Sequence, residues 1–256
     1  MLQKKSLGQN FLRSKKAIAQ IVEAGEIVAG ETILEAGPGE GILTAALLEA
    51  GAKVIAIEKD RRLIVPLQIK FTRYIQSGML TLIENDILEF SIFNFQFSKY
   101  KVIANIPYYI TGAFIRRFLE AEHQPSHMVL LLQKEVAERI VARDGKESIL
   151  SISVKAYGEP RYIQTVKAGS FSPAPKVDSA ILAIENISKK NFSDTDEKRF
   201  FEIVKAGFAH KRKIISGNLK PVLGNQTEEK MYLCGIETKA RAEKLTLEGW
   251  LCLSKL

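Results

Sequence analysis

The sequence predicts an α/β protein: a mostly parallel sheet with helices on both faces, followed by a small helical domain. Three observations carry that prediction. Short apolar runs alternate with helical runs over residues 31–143, the pattern of strands joined by crossover helices. A glycine-rich segment joins the first such strand to its helix. After a polar stretch at 188–198 the composition turns mostly helical.

ETILEA (31–36) reads as a strand and leads into Gly37-Pro38-Gly39-Glu40-Gly41. ILTAALLEAG (42–51) follows as a helix with Gly51 at its C-terminal cap. KVIAIEKD (53–60) is a short apolar run bounded by charges, as a buried strand is. RRLIVPLQIKF is helical with Pro66 early in it, and MLTLIEND (79–86) reads as a third strand. KYKVIANIPY (99–108) is a fourth strand ending in a proline turn, and TGAFIRRFLEA (111–121) an amphipathic helix. HMVLLLQ (127–133) is a fifth strand and KEVAERIVAR (134–143) a helix. RYIQTVKAG (161–169) and DSAILAIENI (178–187) are a late pair of strands, suited to an antiparallel edge on the sheet. The division expected is therefore 1–188 for the α/β domain and 189–256 for the helical one.

Composition narrows the function classes. The chain has 256 residues, 46% hydrophobic and 26% charged, ordinary for a globular protein and unlike a disordered or fibrous one. No apolar run reaches the length of a membrane-spanning helix, and the N-terminus lacks a signal-peptide block. Cys234 and Cys252 are the only cysteines. Two distant thiols make no disulfide framework, and with three scattered histidines no metal site is expected. A reducing cytoplasm is the expected compartment.

The net charge is +8 and the pI about 9.3, a footprint of nucleic-acid binding. The charge is uneven. Residues 1–22 hold Lys4, Lys5, Arg13, Lys15 and Lys16 and no acidic residue. Residues 189–256 hold 14 basic and 9 acidic residues, including Lys211-Arg212-Lys213. Two basic ends on a neutral body suit a polyanion.

The glycine loop stands where open α/β sheets bind ligands, at the carboxyl end of a strand. Gly37, Gly39 and Gly41 let the backbone turn tightly and approach a ligand. The Gly-Lys-Ser/Thr ending of a phosphate-cradling loop is absent, and Ile42 breaks the dinucleotide fingerprint of a dehydrogenase. Glu40 lies in the loop and opposes a pyrophosphate, so a phosphate-free nucleoside fits better. Glu58, ending the second strand, suits a ribose diol, and Asp86, ending the third, suits an adenine amine.

Asn105-Ile106-Pro107-Tyr108 ends the fourth strand. The Asn105 amide oxygen and the carbonyl before or at the proline offer two acceptors for one exocyclic NH₂ group. Two acceptors favour a pyramidal nitrogen and aim its lone pair at an electrophile. The Tyr108 ring offers a stacking face.

Together these motifs resemble an S-adenosylmethionine-dependent adenine-N6 methyltransferase. Leu7-Gly8-Gln9-Asn10-Phe11-Leu12 and Phe171-Ser172-Pro173-Ala174-Pro175-Lys176-Val177-Asp178-Ser179-Ala180 narrow the resemblance to the ribosomal RNA adenine dimethyltransferases. It runs from about residue 5 to the C-terminus. It implies a Rossmann-like class I methyltransferase fold with a seven-stranded sheet. It also implies that Asn10 and Leu12 help close the cofactor site, with Gly37, Gly39 and Gly41 at the methionine part, Glu58 at the ribose and Asp86 at the adenine. Asn105 serves cofactor and target alike, Pro107 belongs to the catalytic set, and Tyr108 and Phe171 sandwich the target base. Lys4, Lys5, Arg13, Lys211, Arg212 and Lys213 are expected on RNA phosphates.

Two branches share the catalytic motifs. The KsgA/RsmA group dimethylates two adjacent adenosines near the 3′ end of small-subunit rRNA; the Erm group modifies one large-subunit adenosine. Phe208-Ala209-His210-Lys211-Arg212-Lys213 with Asn218-Leu219 resembles a basic helix of the first group, and Arg241-Ala242-Glu243-Lys244-Leu245 a segment of it with Ala242 in place of proline. The implied substrate is a small-subunit (30S) assembly intermediate, met by a monomer. A non-catalytic assembly factor on the same scaffold is the alternative of another class.

Overall fold

The computed structural model describes residues 10–91, 99–210 and 212–256. They divide into two compact units, one holding the described residues up to 137 together with 161–187, the other the described residues of 138–160 and 188–256.

The first unit is built on a seven-stranded sheet. Its strands are β2 (Thr32–Ala36), β3 (Lys53–Glu58), β4 (Leu80–Glu84), β5 (Lys101–Asn105), β6 (His127–Gln133), β7 (Glu159–Val166) and β9 (Ser179–Glu185), in the order β4-β3-β2-β5-β6-β9-β7. The first five pair in parallel, and β9 runs antiparallel to β6. β9 lies one place in from the edge, with β7 outside it. A short ribbon, β1 (Phe11–Leu12) against β8 (Phe171–Ser172), is antiparallel and separate from the sheet.

The apolar runs become strands because both faces of the sheet are covered. Ile33, Ile103, Val129, Leu131 and Ile181 are fully buried. Against them pack α1 (Lys15–Ala24), through Ile18 and Ile21, and α2 (Ile42–Glu49), through Leu43 and Leu47. The Ser14 side chain caps α1 by accepting from Ala17 N at 3.3 Å. Gly51 leaves α2 at φ +86°, as its expected role at the helix end requires. The remaining helices of this region are α3 (Arg61–Lys70), α4 (Thr72–Gln76) and α5 (Thr111–Leu119), and α6 (Lys134–Ile140) begins in it after β6. Among the described residues no helix is long and apolar enough to cross a membrane.

The strand order reverses between β2 and β5. Sequence-adjacent crossovers leave in opposite directions there, so the chain opens a crevice at the carboxyl ends of those two strands.

The second unit holds α7 (Ile149–Lys155), α8 (Glu197–Gly207), α9 (Ile215–Leu223), α10 (Thr227–Leu233) and α11 (Leu247–Lys255). It is centred on Trp250, fully buried and stacked on Phe208 with ring centroids 5.4 Å apart. Gly207 is required beside them, since a Cβ there would run into the Trp250 ring. Residues 138–160 belong to this unit, where a single division at 188/189 was expected. The reason is packing: Tyr157 stacks on Phe201 and meets Phe192 at a tilt, and its hydroxyl donates to Glu197 Oε1 at 2.6 Å. A second difference concerns the cysteines. Cys234 and Cys252 form a disulfide, because the chain folds back over the intervening residues and brings the end of α10 to α11.

Candidate active site

The glycine loop follows β2 in the crevice. Gly37, Gly39 and Gly41 take φ of +67°, +61° and +71°, left-handed values that strain any other L-residue. The loop is latched in place: Gly37 N donates to Ile57 O at 2.8 Å and Gly41 N to Pro38 O at 2.8 Å. Nothing lies within 4 Å of where a Gly37 side chain would start, whereas at Gly39 a Cβ would meet the Phe11 ring at 2.9 Å. The first glycine thus fronts open space and the second receives the N-terminal segment.

Glu58 ends β3 and is buried. Its Oε2 accepts from Gly39 N at 3.1 Å and its Oε1 from Asp60 N at 2.8 Å. These bonds aim the carboxylate and leave each oxygen a lone pair for a diol. Burial raises its pKa, opposed by the same backbone donors. Asp86 follows β4; its Oδ1 accepts from Leu88 N at 2.9 Å and its Oδ2 pairs with Lys59 Nζ at 2.5 Å. The Lys59 hydrogen bond holds this carboxyl below its ordinary range.

Asn105 ends β5. Its Nδ2 donates to the Asn10 carbonyl at 3.2 Å, which orients the side-chain amide and leaves Oδ1 as the acceptor. The Pro107 carbonyl accepts from Ile110 N at 3.2 Å. Tyr108 opens a 3₁₀ turn (Tyr108–Ile110), is half-buried, and its hydroxyl lies 2.6 Å from Ser179 Oγ. Phe171 on β8 is buried, paired with Leu12 across the ribbon.

One cavity of about 270 Å³ collects these groups. It is lined by Asn10, Leu12, Gly37, Gly39, Glu58, Asp86, Asn105, Pro107, Tyr108 and Phe171. Of the cofactor residues expected from the sequence, Gly41 is not part of that lining; it is buried under α3, where a Cβ would meet Phe71 at 2.5 Å. Gly41 shapes the loop rather than facing the cavity.

Among the lining residues with no role assigned from the sequence are Phe11, Glu35, Lys59 and Tyr109. Phe11 and Glu35 stand inside motifs already quoted; Lys59 and Tyr109 directly follow motif residues, and that adjacency was the available signal. Glu35 is 1% exposed and its Oε2 has no hydrogen-bond partner. Burial, with the Glu58 charge adding to it, pushes its carboxyl up to about 8. An unsatisfied buried oxygen, open space at Gly37 and the aimed Glu58 carboxylate fit a nucleoside cofactor carrying a polar or cationic end. Among the described residues no group of three His, Cys, Asp or Glu could hold a metal ion.

The basic residues fare differently. Lys4, Lys5 and Lys211 lie outside the described residues, as do Leu7, Gly8 and Gln9. Arg13, expected on phosphate, pairs with Glu40 in the glycine loop, because β1 carries it across that loop, and keeps about half of its side chain exposed (48%). Arg212 and Lys213 are exposed. They sit in a turn rather than the expected helix: the Asn218 amide takes up the Gly207 and His210 carbonyls at 2.7 and 3.3 Å and ends α8 there.

Comparison with known proteins agrees with this geometry. The family described as ribosomal RNA adenine dimethylase matches residues 1–256. The chain is 39% identical to ribosomal RNA small subunit methyltransferase A of Dehalococcoides mccartyi, over 98% of this chain and 87% of that one. It is 37% identical to the protein of the same name in Fusobacterium nucleatum, over 99% and 97%. Among solved structures, the 23S rRNA methyltransferase ErmE superposes with a TM-score of 0.78 at 27% identity, over 96% of this chain and 98% of that one. A dimethyladenosine transferase from Plasmodium falciparum gives 0.78 at 27%, over 95% of each. This chain belongs to the ribosomal RNA adenine dimethylase family and is an rRNA adenine dimethyltransferase.

Proposed function

We propose that the chain dimethylates N6 of two adjacent adenosines in the 3′-terminal hairpin loop of small-subunit ribosomal RNA, using S-adenosylmethionine and acting in the cytoplasm as a monomer on a 30S assembly intermediate. The observation that carries this reading is one cavity holding both halves of the chemistry. Glu58 and Asp86 stand on one side of the strand-order reversal, Asn105 and Tyr108 on the other. The small-subunit choice rests on relatives at 37–39% identity that bear that name, against 27% for the 23S enzyme.

Glu58 would hold the ribose, Asp86 the adenine, and the loop at Gly37 and Gly39 the methionine part, with Asn10 and Leu12 closing over them. The cofactor supplies an electrophilic methyl group when bound. Asn105 Oδ1 and the Pro107 carbonyl accept from the target amine and keep its lone pair pointed across the cavity. Tyr108 and Phe171 hold the base and face the positive charge that grows on the nitrogen. No strong base is needed, so positioning supplies most of the rate. The target adenine must leave its stack to reach this cavity, which costs least in a single-stranded loop. Lys4, Lys5, Lys211, Arg212 and Lys213 supply phosphate contacts, and the helical unit at the C-terminus serves as an RNA-binding element.

The test is methyl transfer from labelled S-adenosylmethionine to unmethylated small subunits, large subunits and their naked RNAs, with Asn105→Ala as control. Dimethyladenosine at two adjacent small-subunit positions is expected. Label on one large-subunit adenosine would move the chain to the Erm branch. Binding without transfer would make it an assembly factor.

A further inference from the structure

The two aromatic residues read as walls of the base site come from distant parts of the chain, Tyr108 after β5 and Phe171 on β8. Something must set the distance between them. Ser179 is the first residue of β9, fully buried and in register with Gln133 at the end of β6. Its hydroxyl meets the Tyr108 hydroxyl at 2.6 Å.

The residue before it anchors the other wall. Asp178 Oδ1 accepts from Ala168 N at 3.0 Å and Oδ2 pairs with Lys167 Nζ at 3.0 Å. Its main-chain oxygen accepts from Lys134 N at 3.0 Å. Residues 178–179 are thus tied to the sheet and to the turn that leads into Phe171. Through Ser179 the same pair of residues reaches Tyr108. A tyrosine ring turns about two side-chain bonds, and a bond at its far end removes that freedom.

We propose that Ser179 is a positioning residue: by holding the Tyr108 hydroxyl it fixes the Tyr108 ring relative to Phe171, and so sets the slot that receives the target adenine. This rests on the reading of Tyr108 and Phe171 as the walls of that slot. Ser179 takes no part in the methyl transfer itself. Burial raises the Tyr108 pKa, so the phenol stays protonated and the contact is a bond between two neutral hydroxyls. Loss of one such bond corresponds to about a tenfold effect.

The experiment is a double-mutant cycle in the full chain on small-subunit substrate. Ser179→Ala and Tyr108→Phe each remove one hydroxyl and keep the side-chain volume nearly unchanged. The expected result is a loss of about tenfold in kcat for each, with the S-adenosylmethionine Kd unchanged. The double variant is expected to be no worse than either single one, and Ser179→Thr to recover most of the rate. Full activity in Tyr108→Phe would overturn the proposal even if Ser179→Ala failed to fold. Losses that multiply in the double variant would overturn it too, since Ser179 would then act through the strand and not through Tyr108. Tyr108→Ala and Phe171→Ala separate the two readings. If both retain full rate, the slot itself is wrong; if both collapse while Tyr108→Phe is intact, only the role of Ser179 is.

Discussion

The Arg13 guanidinium closes on the Glu40 carboxylate with two contacts, 2.6 and 2.9 Å. A residue just after the N-terminal ribbon thereby holds the glycine loop, and Lys70 Nζ reaches the Glu40 carbonyl from behind at 2.8 Å. Both side chains of the pair keep solvent contact, so the pair stabilises the loop by only about 0.2–1 kcal/mol. Arg13→Ala is expected to weaken S-adenosylmethionine binding by up to about fivefold, measured by calorimetry without RNA. The salt dependence of RNA binding should stay the same. A fall of about one unit in the log–log salt slope, with cofactor binding intact, would return Arg13 to the phosphate contacts.

Glu35 predicts a pH effect on the cofactor-free protein. Its folded pKa is about 8, raised by burial from the ordinary 4.5 of a glutamate. The folded state therefore binds the proton more tightly than the unfolded chain. That contribution is fully present below about pH 4.5 and is lost as pH rises through about 8. Glu35→Gln keeps the neutral form at every pH. The difference in thermal midpoint between variant and parent should be small at pH 5 and grow, in favour of the variant, up to about pH 8. A constant difference across that range would refute the buried, protonated carboxyl.

Gly39 and Gly30 separate backbone strain from site geometry. Both have positive φ, +61° and +83°, but only at Gly39 does a Cβ meet another residue, the Phe11 ring at 2.9 Å. Alanine at either position should cost about 1–2 kcal/mol of stability. Only Gly39→Ala should displace Phe11 and lower cofactor affinity, by roughly tenfold or more for about 1.4 kcal/mol of lost contact. Equal affinities in the two variants would remove Phe11 from the site.

Lys101 is a stability test away from the chemistry. It is buried, and its Nζ donates to Gly25 O at 3.0 Å and Glu26 O at 2.7 Å and pairs with Glu31 at 2.9 Å. Lys101→Met leaves those oxygens unmatched. The expected loss is roughly 2–4 kcal/mol, somewhat below a fully buried pair because Glu31 keeps some water contact. Denaturant unfolding should show a lower midpoint at unchanged slope.

Much of this protein is written along the chain. HMVLLLQ becomes β6 residue for residue, and the glycine loop, Glu58, Asp86 and Asn105-Ile106-Pro107-Tyr108 all lie at the carboxyl ends of strands. Each is a local property: apolar runs bury, glycines take positive φ, and a proline ends a strand. Parallel strands then carry those ends to one side, so contiguous motifs converge without further information.

What the sequence by itself determined, then, was the α/β class, the loop conformation and which residue types meet in the cavity. Tertiary structure decided the pairings. Arg13 on Glu40, the Asn105 amide on the Asn10 carbonyl and Tyr108 on Ser179 join residues 27 to 95 positions apart. So did the packing of 138–160 with the C-terminal helices and the Cys234–Cys252 bond. No periodicity records such contacts, because they depend on strand order and on how the helices pack, and both are settled by burial across the whole chain rather than by any segment of it.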